Sequence, residues 1–525
     1  MKNLTSSVYS FEKLVNEGYL YVDKTEYIWQ LINHVGESYF LSRPRRFGKS
    51  LTLSTLKAVF EGKKELFRGL AIYDKPYDWK PYPIIHLSFG DYNVMSDAVR
   101  ELPDYLMAKV QRIAQEYSIH LEGGTPGLCF GYLIDQLYKK DQVVILVDEY
   151  DKPILDNISS PDVKEIQQCL KGFYSVLKDR NTQERLLFVT GVSKFSHVSL
   201  FSDLNNLTDI TMDARYATML GYTQEELEAN FGDRITALAG DRSTDELKAE
   251  IKAWYNGYRF HSNSATVYNP VSLARFFESG GEFNTYWFST GTPTFLLDLI
   301  MKSNFNFSLA LNNPVSGSFF NSFEITTLDP MVLLFQTGYL TIDRAEQRKV
   351  PFTNKTVTEY YLHFPNLEVE ESFNGSLLAY YTSVKKQDAQ ELILNLITAV
   401  GTGDVDAFLK LFQSVFAGIP YTIHVKDEHY YQTVFYVICD LLKLMVQAET
   451  CTSDGRIDMM VAAGEWIYVI EFKLNKTADE ALTQIENKDY ALKYRKDGKR
   501  IMLIGVNFDF NTGNITDWLK EEYRG

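Results

Sequence analysis

The sequence predicts an α/β protein with more than one domain, and three stretches support that prediction. The first is a short apolar strand, ESYFLS, followed by the basic loop RPRRFGKS and a helical pattern that begins at Ser50. The second is a run of five apolar residues, 143–147, that ends in two acids. The third is a hairpin of two apolar strands, RIDMMV and EWIYVIEFK, followed by a helix with a capping box. At 525 residues the chain is too long for one core, so two to four domains are expected.

The bulk composition is that of an ordinary globular protein and limits what the chain can be. The formal net charge of −15 argues against a protein that coats nucleic acid, although a local basic groove is still compatible with it. The amino terminus has no long apolar run, and no stretch reaches the roughly 18 apolar residues of a membrane-spanning helix. The four cysteines are scattered without a CxxC pair, which favours free thiols in a reducing compartment. We therefore expect a cytoplasmic protein.

The basic loop fits the second half of the phosphate-binding template G-x-x-x-x-G-K-[ST]. Gly48, Lys49 and Ser50 occupy its last three positions, whereas Arg43 stands where the first glycine belongs. In such a loop the backbone N–H groups face phosphates, Lys49 reaches the β- and γ-phosphates, and the Ser50 hydroxyl binds Mg²⁺. Arg43 has a Cβ, so the loop must start differently or avoid a positive φ there. A basic turn before an amphipathic helix explains the loop by itself about equally well.

The apolar run 143–147 predicts a central parallel strand that is buried on both faces. Ligands of open α/β sheets bind at the carboxyl ends of such strands, where this strand carries Asp148 and Glu149. Asp148 would hold Mg²⁺ and Glu149 would polarise the attacking water; a solvated acidic turn is the alternative. A third strand, RLLFVTGVSKF, ends near Ser193, a candidate sensor of the γ-phosphate.

Together with YVDKTEYI, TGVSKFSHVSLFSDLNNLTDIT and WYNGYRF…VYNP, these motifs resemble the AAA-ATPase-like family of bacterial proteins over roughly residues 5 to 290. The resemblance implies a variant P-loop in which Arg43 is the usual residue, with ATP and Mg²⁺ as ligands. It also implies a P-loop NTPase core of parallel strands over residues 1–215 and a helical lid over 216–290. Arg215 and Arg259 would contact a γ-phosphate or form structural ion pairs. The expected nucleotide contacts are Arg46, Phe47, Gly48, Lys49, Ser50, Leu51, Asp148 and Ser193.

In the carboxy-terminal hairpin the strand phase places acidic side chains together. If Val461 faces Trp466 across the turn, then Asp458 faces Val469, and Glu471 is its diagonal neighbour on the same face. Two carboxylates about 7–8 Å apart by Cα can share a metal ion. The register therefore predicts a site for a divalent cation.

Lys473 shares that face, which completes the D-x(n)-E-x-K arrangement of metal-dependent phosphodiester cleavage. An exposed trio is the alternative, because E-x-K also occurs elsewhere, for example at Glu486. GRID, VIEFK and ALTQIENKDYA resemble the PD-(D/E)XK nuclease superfamily, which implies an α/β restriction-endonuclease-like domain over residues 405–525 behind a mixed α/β connecting region, 291–404. The resemblance places Asp458, Glu471, Lys473, Gln484 and Tyr490 in active-site positions, with an upstream acid at Glu428 or, as the rival, Glu449.

Two functions are compatible with this organisation. In the first, an ATPase drives or gates a nuclease that uses Mg²⁺ or Mn²⁺. The expected substrate of the nuclease is nucleic acid, DNA rather than RNA, and the sequence is compatible with an oligomeric protein. In the second, ATP switches a signalling or scaffold protein whose nuclease-like domain binds nucleic acid or protein without cutting. The basic segment ALKYRKDGKR around Tyr494 would contact phosphates or stack on a base, unless it is a solvated helix end.

Overall fold

The computed structural model separates into two compact units. The first comprises residues 1–290 and 315–369, and the second comprises 291–314 and 370–525, so the predicted connecting region is divided between them. The structure describes residues 2–93, 97–194, 204, 206–287, 296–297, 299–300, 311, 313–321, 329–353, 355–382, 386–417, 428–441, 445–452, 455–488 and 490–523. Within these ranges the side chains of 321, 377–382, 386–391, 393, 428–430, 433, 437, 440–441, 445–452, 455–456, 493 and 496–497 are not described.

A parallel sheet forms the centre of the first unit. Its strands are β1 (Glu37–Ser42), β2 (Ile84–Ser88), β3 (Val143–Asp148), β4 (Glu184–Gly191) and β5 (Leu207–Asp209). They lie in the order β2-β3-β4-β1-β5, and every pair is parallel. All six residues of β3 are buried, as the apolar run predicts. The carboxyl ends of the five strands therefore meet at one edge.

Helices cover this sheet and continue beyond it. The described helices are α1 (Phe11–Asn16), α2 (Thr25–Ile32), α3 (Lys49–Phe60), α4 (Ala98–Glu116), α5 (Pro126–Tyr138), α6 (Lys152–Leu155), α7 (Val163–Tyr174), α8 (Gln224–Ala239), α9 (Thr244–Tyr255) and α10 (Pro270–Glu278). The last three lie within the range predicted as a helical lid, which is called the lid below, and they pack around an apolar cluster that includes Phe231, Ile251 and Phe276. A capping box of Thr223 and Glu226 fixes the start of α8.

Residues 315–369 add a small antiparallel sheet to the first unit. It contains β6 (Val315–Ser316), β7 (Thr341–Lys349) and β8 (Thr356–His363) in the order β6-β8-β7, with α11 (Pro330–Thr337) before β7. A Cβ added at Gly338, directly after α11, would lie 2.6 Å from the ring of Pro44. This segment therefore packs directly behind the basic loop, and the next helix, α12 (Leu367–Thr382), begins within the same unit.

The second unit contains a mixed five-stranded sheet with helices on both faces. Its elements are α13 (Lys386–Thr402), α14 (Val405–Ala417), α15 (Glu428–Leu441), β9 (Met445–Thr452), β10 (Gly455–Ala463), β11 (Trp466–Leu474), α16 (Ala478–Asn487), β12 (Arg500–Asp509) and β13 (Asn514–Glu522). The order is β13-β12-β11-β10-β9, with β11 and β12 parallel and joined by α16. Phe472 contacts Phe435 of α15, whereas Val469 lies in the apolar cluster with Ile485 of α16.

The hairpin register differs from the predicted one by two residues. Val461 pairs with Tyr468 rather than Trp466, because Ala463 already pairs with Trp466 and only Gly464 and Glu465 form the turn. Continued along the strands, this register places Asp458 directly opposite Glu471 instead of diagonally. A shift of two residues preserves the face of each side chain, so the predicted grouping of the acids survives the error.

Glu184 gives the stability of the first unit a predictable dependence on pH. It is buried at the start of β4, where the Ser38 hydroxyl lies 3.4 Å from its Oε2. Burial raises the pKa of Glu184 to about 8. The folded state therefore holds a proton that the unfolded state loses above about pH 4.5, and stability falls as pH rises towards 8. Glu184→Gln removes this dependence, so its thermal midpoint should exceed that of the wild type by an amount that grows from pH 5 to pH 8 and then levels off. A constant difference across that range, measured by calorimetry, would contradict this account.

Candidate functional site

A large cavity lies at the carboxyl edge of the parallel sheet in the first unit. Its volume is about 550 Å³, and its walls come from the amino-terminal segment, the basic loop, the ends of β2 and β3, and the lid. Six predicted loop contacts line it: Arg46, Phe47, Gly48, Lys49, Ser50 and Leu51. Asp148 and Glu149 line it as well, so the structure brings the two separate motifs together.

The loop obtains its bend from residues other than Arg43. Gly48 caps α3 with a φ of 96°, and Arg46 has a φ of 66°. A Cβ at Gly48 would meet nothing within 4 Å, so its backbone conformation rather than lack of space favours glycine. Arg43 is not among the residues with positive φ. The loop thus starts without the conformation that the first glycine of the template would allow.

Arg43 is a structural residue whose side chain points away from the cavity. Its guanidinium is buried, donates to the carbonyl oxygens of Thr211 (2.7 Å) and Tyr216 (3.2 Å), and lies 4.0 Å from the ring centroid of Phe260. Burial lowers the pKa of Arg43 to about 9, which still leaves it charged at neutral pH. It ties the start of the loop to the segment after β5.

Lys49 lies beneath the loop with its ammonium close to the acids of β3. Its Nζ donates to the carbonyl oxygens of Arg43 and Pro44, both at 2.9 Å, and the side chain is nearly buried. Burial lowers the pKa of Lys49, and the carboxylates of Asp148 and Glu149 raise it again in part. The cation is therefore held where a phosphate on the loop would meet it.

Ser50 and Asp148 provide oxygen atoms suited to a divalent cation. Asp148 is 4% exposed, and among the described residues its Oδ1 has no hydrogen-bond partner. Burial raises the pKa of Asp148, whereas the Ser50 hydroxyl and the Lys49 ammonium lower it. A buried carboxylate oxygen without a partner is unfavourable by about 1–3 kcal/mol, which a bound cation would remove. The donor set therefore fits the Mg²⁺ ligands expected from the sequence.

Glu149 follows β3 with a strained backbone, at a φ of 53°. A Cβ placed on Gly90 would lie 3.4 Å from its Oε2, so Glu149 faces the end of β2. Ser88 and Gly90 also line the cavity and were missed in the sequence. The stretch LSFGD after an apolar strand is the signal that could have indicated them, because carboxyl ends of parallel strands share one edge.

Ser193 is committed to another contact, and the arrangement does not favour a sensor role. Its hydroxyl and its backbone N–H both donate to Oδ2 of Asp151, each at 2.7 Å, and both residues are fully buried. Ser193 is absent from the cavity wall, although Val192 and Asp151 contribute to it. Asp151 thus fixes the end of β4 against β3. Its position as a third acid after the strand is the only sign of this role in the sequence.

The two lid arginines lie outside the cavity wall. Arg215 is largely exposed and forms an ion pair with Asp213 at 2.6 Å. The Arg259 guanidinium donates to the carbonyl oxygen of Asp343, and its backbone N–H donates to the Thr341 hydroxyl at 2.7 Å. These contacts favour the structural alternative over a contact with the γ-phosphate.

In the second unit, Glu471 is the centre of a buried polar group. Its Oε1 accepts hydrogen bonds from Lys473 Nζ (2.9 Å) and from Gln484 Nε2 of α16. Asp458, opposite on β10, accepts from the backbone N–H of Phe472 at 2.8 Å. The structure therefore brings four predicted residues together on the face covered by α16. The two carboxylates are oxygen donors that fit Mg²⁺ or Mn²⁺.

Other predicted residues of this unit have different outcomes. Glu428 begins α15, but its side chain and that of Glu449 lie outside the described residues. Tyr490 and Tyr494 are buried in the apolar cluster with Ile485. The burial of the Tyr494 ring argues against a stacking contact with a base.

The described basic side chains of the ALKYRKDGKR segment mostly have partners on β13 or next to it. Arg495 donates to the Tyr523 hydroxyl at 2.7 Å. Arg500 pairs with Glu522 at 2.8 Å and lies 3.9 Å from the ring centroid of Trp466. Lys499 is exposed, and the side chains of Lys493 and Lys496 lie outside the described residues. These contacts favour the solvated-end interpretation over a phosphate-binding patch.

The folds and sites define the class of protein: a P-loop ATPase-like unit followed by a nuclease-like unit. Residues 6–201 match the family described as a predicted AAA-ATPase, and residues 426–518 match the PD-(D/E)XK nuclease superfamily. A protein of Azotobacter chroococcum mcd 1, described as "Uncharacterized protein in vnfD 5'region", is 40% identical over 538 residues, 99% of each chain. The chain therefore belongs to the AAA-ATPase-like family that carries a carboxy-terminal PD-(D/E)XK nuclease superfamily domain.

These matches confirm the two resemblances and the α/β fold class predicted from the sequence. No solved structure matches the chain. Within the described ranges, none of the helices combines the length and the apolar character needed to cross a bilayer.

Proposed function

We propose that the first unit binds and hydrolyses ATP and thereby controls metal-dependent phosphodiester cleavage by the second unit. One observation carries the first half of the proposal. The Lys49 ammonium, the Ser50 hydroxyl and the buried Asp148 carboxylate converge at the amino end of α3, on the wall of one cavity. Helix amino termini attract phosphates, and this set of side chains supplies the cation and the metal ligands that a nucleoside triphosphate needs.

The remainder of the cavity suits the base and the sugar. Its walls away from the loop carry the apolar or aromatic residues Leu20, Val22, Leu220, Tyr222 and Ala274. A volume of about 550 Å³ lies within the usual range of small-molecule sites. Bound Mg²⁺ would neutralise charge on the phosphates, with Ser50 and Asp148 as its protein ligands. Glu149 would orient the attacking water, and Asp151 would keep the β3 and β4 ends in position.

In the second unit, Asp458 and Glu471 would hold the divalent ion, with Glu428 as a proposed additional ligand. Such an ion activates water and stabilises charge on a phosphate. Lys473 would stabilise the charge that develops on the scissile phosphate, and Gln484 would fix the orientation of the Glu471 carboxylate. The substrate would be nucleic acid, with DNA favoured, and the protein would work in the cytoplasm.

The second candidate function is an ATP-controlled switch that binds a partner without cutting. The specific observation in its favour is that Arg495 and Arg500 are engaged with Tyr523 and Glu522 rather than available to a phosphate backbone. A cleavage assay with Mg²⁺ or Mn²⁺ on DNA and RNA panels, with and without ATP, separates the two. Cleavage whose rate depends on ATP supports the nuclease, whereas ATP-dependent oligomerisation without cleavage supports the switch. Metal-independent cleavage would count against both.

The role of Glu149 can be tested with an isosteric change. Glu149→Gln should bind ATP as the wild type does and hydrolyse it at least about 100-fold more slowly, because it removes the charge that orients water but little volume. Calorimetry measures the binding and phosphate release measures the rate. Glu165→Gln, which changes an exposed acid on α7, is the matched control and should leave both unchanged. Undiminished hydrolysis in Glu149→Gln would remove this residue from the mechanism.

A further inference from the structure

The motif WYNGYRF lies outside the proposed chemistry, yet it is attached to the phosphate loop. The ring of Tyr258 packs edge-to-face on Phe47 with centroids 4.7 Å apart, and Phe260 does so at 5.5 Å. Phe260 also carries the Arg43 guanidinium on its face. A movement of the phosphate loop would therefore displace the rings of Tyr258 and Phe260, because packed aromatic side chains cannot shift independently.

The same motif binds the turn that precedes α12. Gly257 has a φ of 109°, and a Cβ placed on it would overlap the carbonyl oxygen of Pro365, so only glycine permits this approach. Beside it, the side-chain amide of Asn366 donates to the carbonyl oxygen of Asn256 at 2.7 Å. The Asn366 side-chain oxygen accepts from the N–H of Val369 at 3.1 Å and so caps α12.

A second connection passes through Glu368, which is 0% exposed. Its Oε1 accepts from the backbone N–H of Trp287 at 2.7 Å, and the Trp287 indole donates to the carbonyl oxygen of Arg45 at 3.3 Å. Burial raises the pKa of Glu368 to about 7, and the charge of Arg46 is among the influences that lower it. Arg45 and Arg46 belong to the phosphate loop, so the first turn of α12 is linked to the loop by two routes.

The Glu368 carboxylate also lies beside the hydroxyl of Ser272 on α10, which is among the influences that lower its pKa. Within the described part of the chain, neither the Glu368 Oε2 nor the Ser272 hydroxyl forms a hydrogen bond of good geometry. A movement of the loop that displaces Trp287 would therefore change how well this buried carboxylate is satisfied, and such a difference in free energy is what transmission of a binding signal requires.

We propose that residues 365–368, the coupling segment, make the start of α12 respond to nucleotide on the phosphate loop. From residue 370 onwards α12 belongs to the second unit, so the segment would regulate that unit by setting the order of the helix that leads into it. The proposal rests on the proposed ATP site. Because coupling is reciprocal, ligands of the second unit would alter ATP affinity by the same factor.

Hydrogen exchange of the full-length protein, read by mass spectrometry with and without ATP, tests the coupling segment. In the wild type, ATP should slow exchange in the first turn of α12 at least about five-fold, the lower end of ordinary allosteric coupling. Asn366→Asp keeps the helix cap but loses the amide that donates to Asn256. Glu368→Leu keeps most of the volume but removes the acceptor for the Trp287 N–H. Both variants should bind ATP and lose the nucleotide-dependent change, whereas Asn263→Asp, an exposed substitution in the same unit, should retain it.

Calorimetry on the same samples separates the possible failures. If the wild type binds ATP and α12 exchanges at an unchanged rate, the coupling proposal is wrong and the ATP site stands. The coupling proposal is equally wrong if both variants fold and respond like the wild type. If the wild type binds no ATP, the proposed function is wrong, and the proposal for the coupling segment is wrong as well. The wild-type comparison decides even where a variant does not fold.

Discussion

Lys49→Ala should abolish or strongly weaken ATP binding by the first unit. The ammonium of Lys49 is the cation that the loop motif places at the β- and γ-phosphates, and in the structure it lies within the loop, beside the carboxylates of β3. A charge-assisted hydrogen bond contributes about 1.5–3 kcal/mol, so its loss should weaken binding by about 10- to 150-fold, towards the upper end because the site is largely buried. Titration calorimetry with ATP and Mg²⁺ measures the effect.

A lysine on the same helix provides the control. Lys57 lies further along α3, is partly exposed, and pairs with Glu61 at 3.7 Å, so Lys57→Ala should keep the affinity of the wild type. Lys49→Ala also leaves two loop carbonyl oxygens without their donor, so the loop itself could rearrange. Lys49→Met retains most of the side-chain volume and therefore shows whether the loss of affinity comes from the missing charge. Equal affinity in Lys49→Met, Lys57→Ala and the wild type would sink the P-loop interpretation.

The strands that carry the two sites could be predicted because a strand that is buried on both faces appears in the sequence as a continuous run of apolar residues. The run Val143–Val147 became β3, with Asp148 as its last residue, as expected. The two apolar strands of the hairpin were equally clear. Their register was not, because AAGE offers several two- to four-residue turns, and apolar periodicity fixes the face but not the partner. The error of two residues moved Asp458 from a diagonal to a direct position relative to Glu471.

What the sequence did not indicate depends on contacts between distant segments. The loop template marks Arg43 as a departure from glycine, but only the carbonyl oxygens of Thr211 and Tyr216 explain why an arginine is buried there. Ser193 could be placed at the end of a strand, yet its commitment to Asp151 depends on how β3 and β4 pair. No local pattern indicates that Glu368, 81 residues away, would bind Trp287.

The largest effect in the second unit is expected from the residues around Glu471. Asp458→Ala, Glu471→Ala and Lys473→Ala should each reduce phosphodiester cleavage by at least about 100-fold, the usual effect of removing one group that stabilises charge in the transition state. ATP hydrolysis should stay nearly intact, because its residues belong to the first unit. Cleavage of labelled DNA and phosphate release from ATP, measured on the same preparations, give the two readouts.

The affinity of the second unit for a divalent metal ion distinguishes the variants that lose a metal ligand from the variant that loses a positive charge. Asp458→Ala and Glu471→Ala remove oxygen ligands and should lose Mn²⁺ binding, whereas Lys473→Ala should keep most of it because an ammonium is not a ligand. Glu471→Gln provides a second test at constant volume, since Glu471 is buried and accepts from both Lys473 and Gln484. Glu486→Gln is the control: Glu486 heads another E-x-K stretch, but it lies exposed on α16, away from the paired strands. If Glu471→Gln cleaves as fast as Glu486→Gln, the hairpin carboxylates are not a catalytic pair, and the strand geometry alone would support only binding.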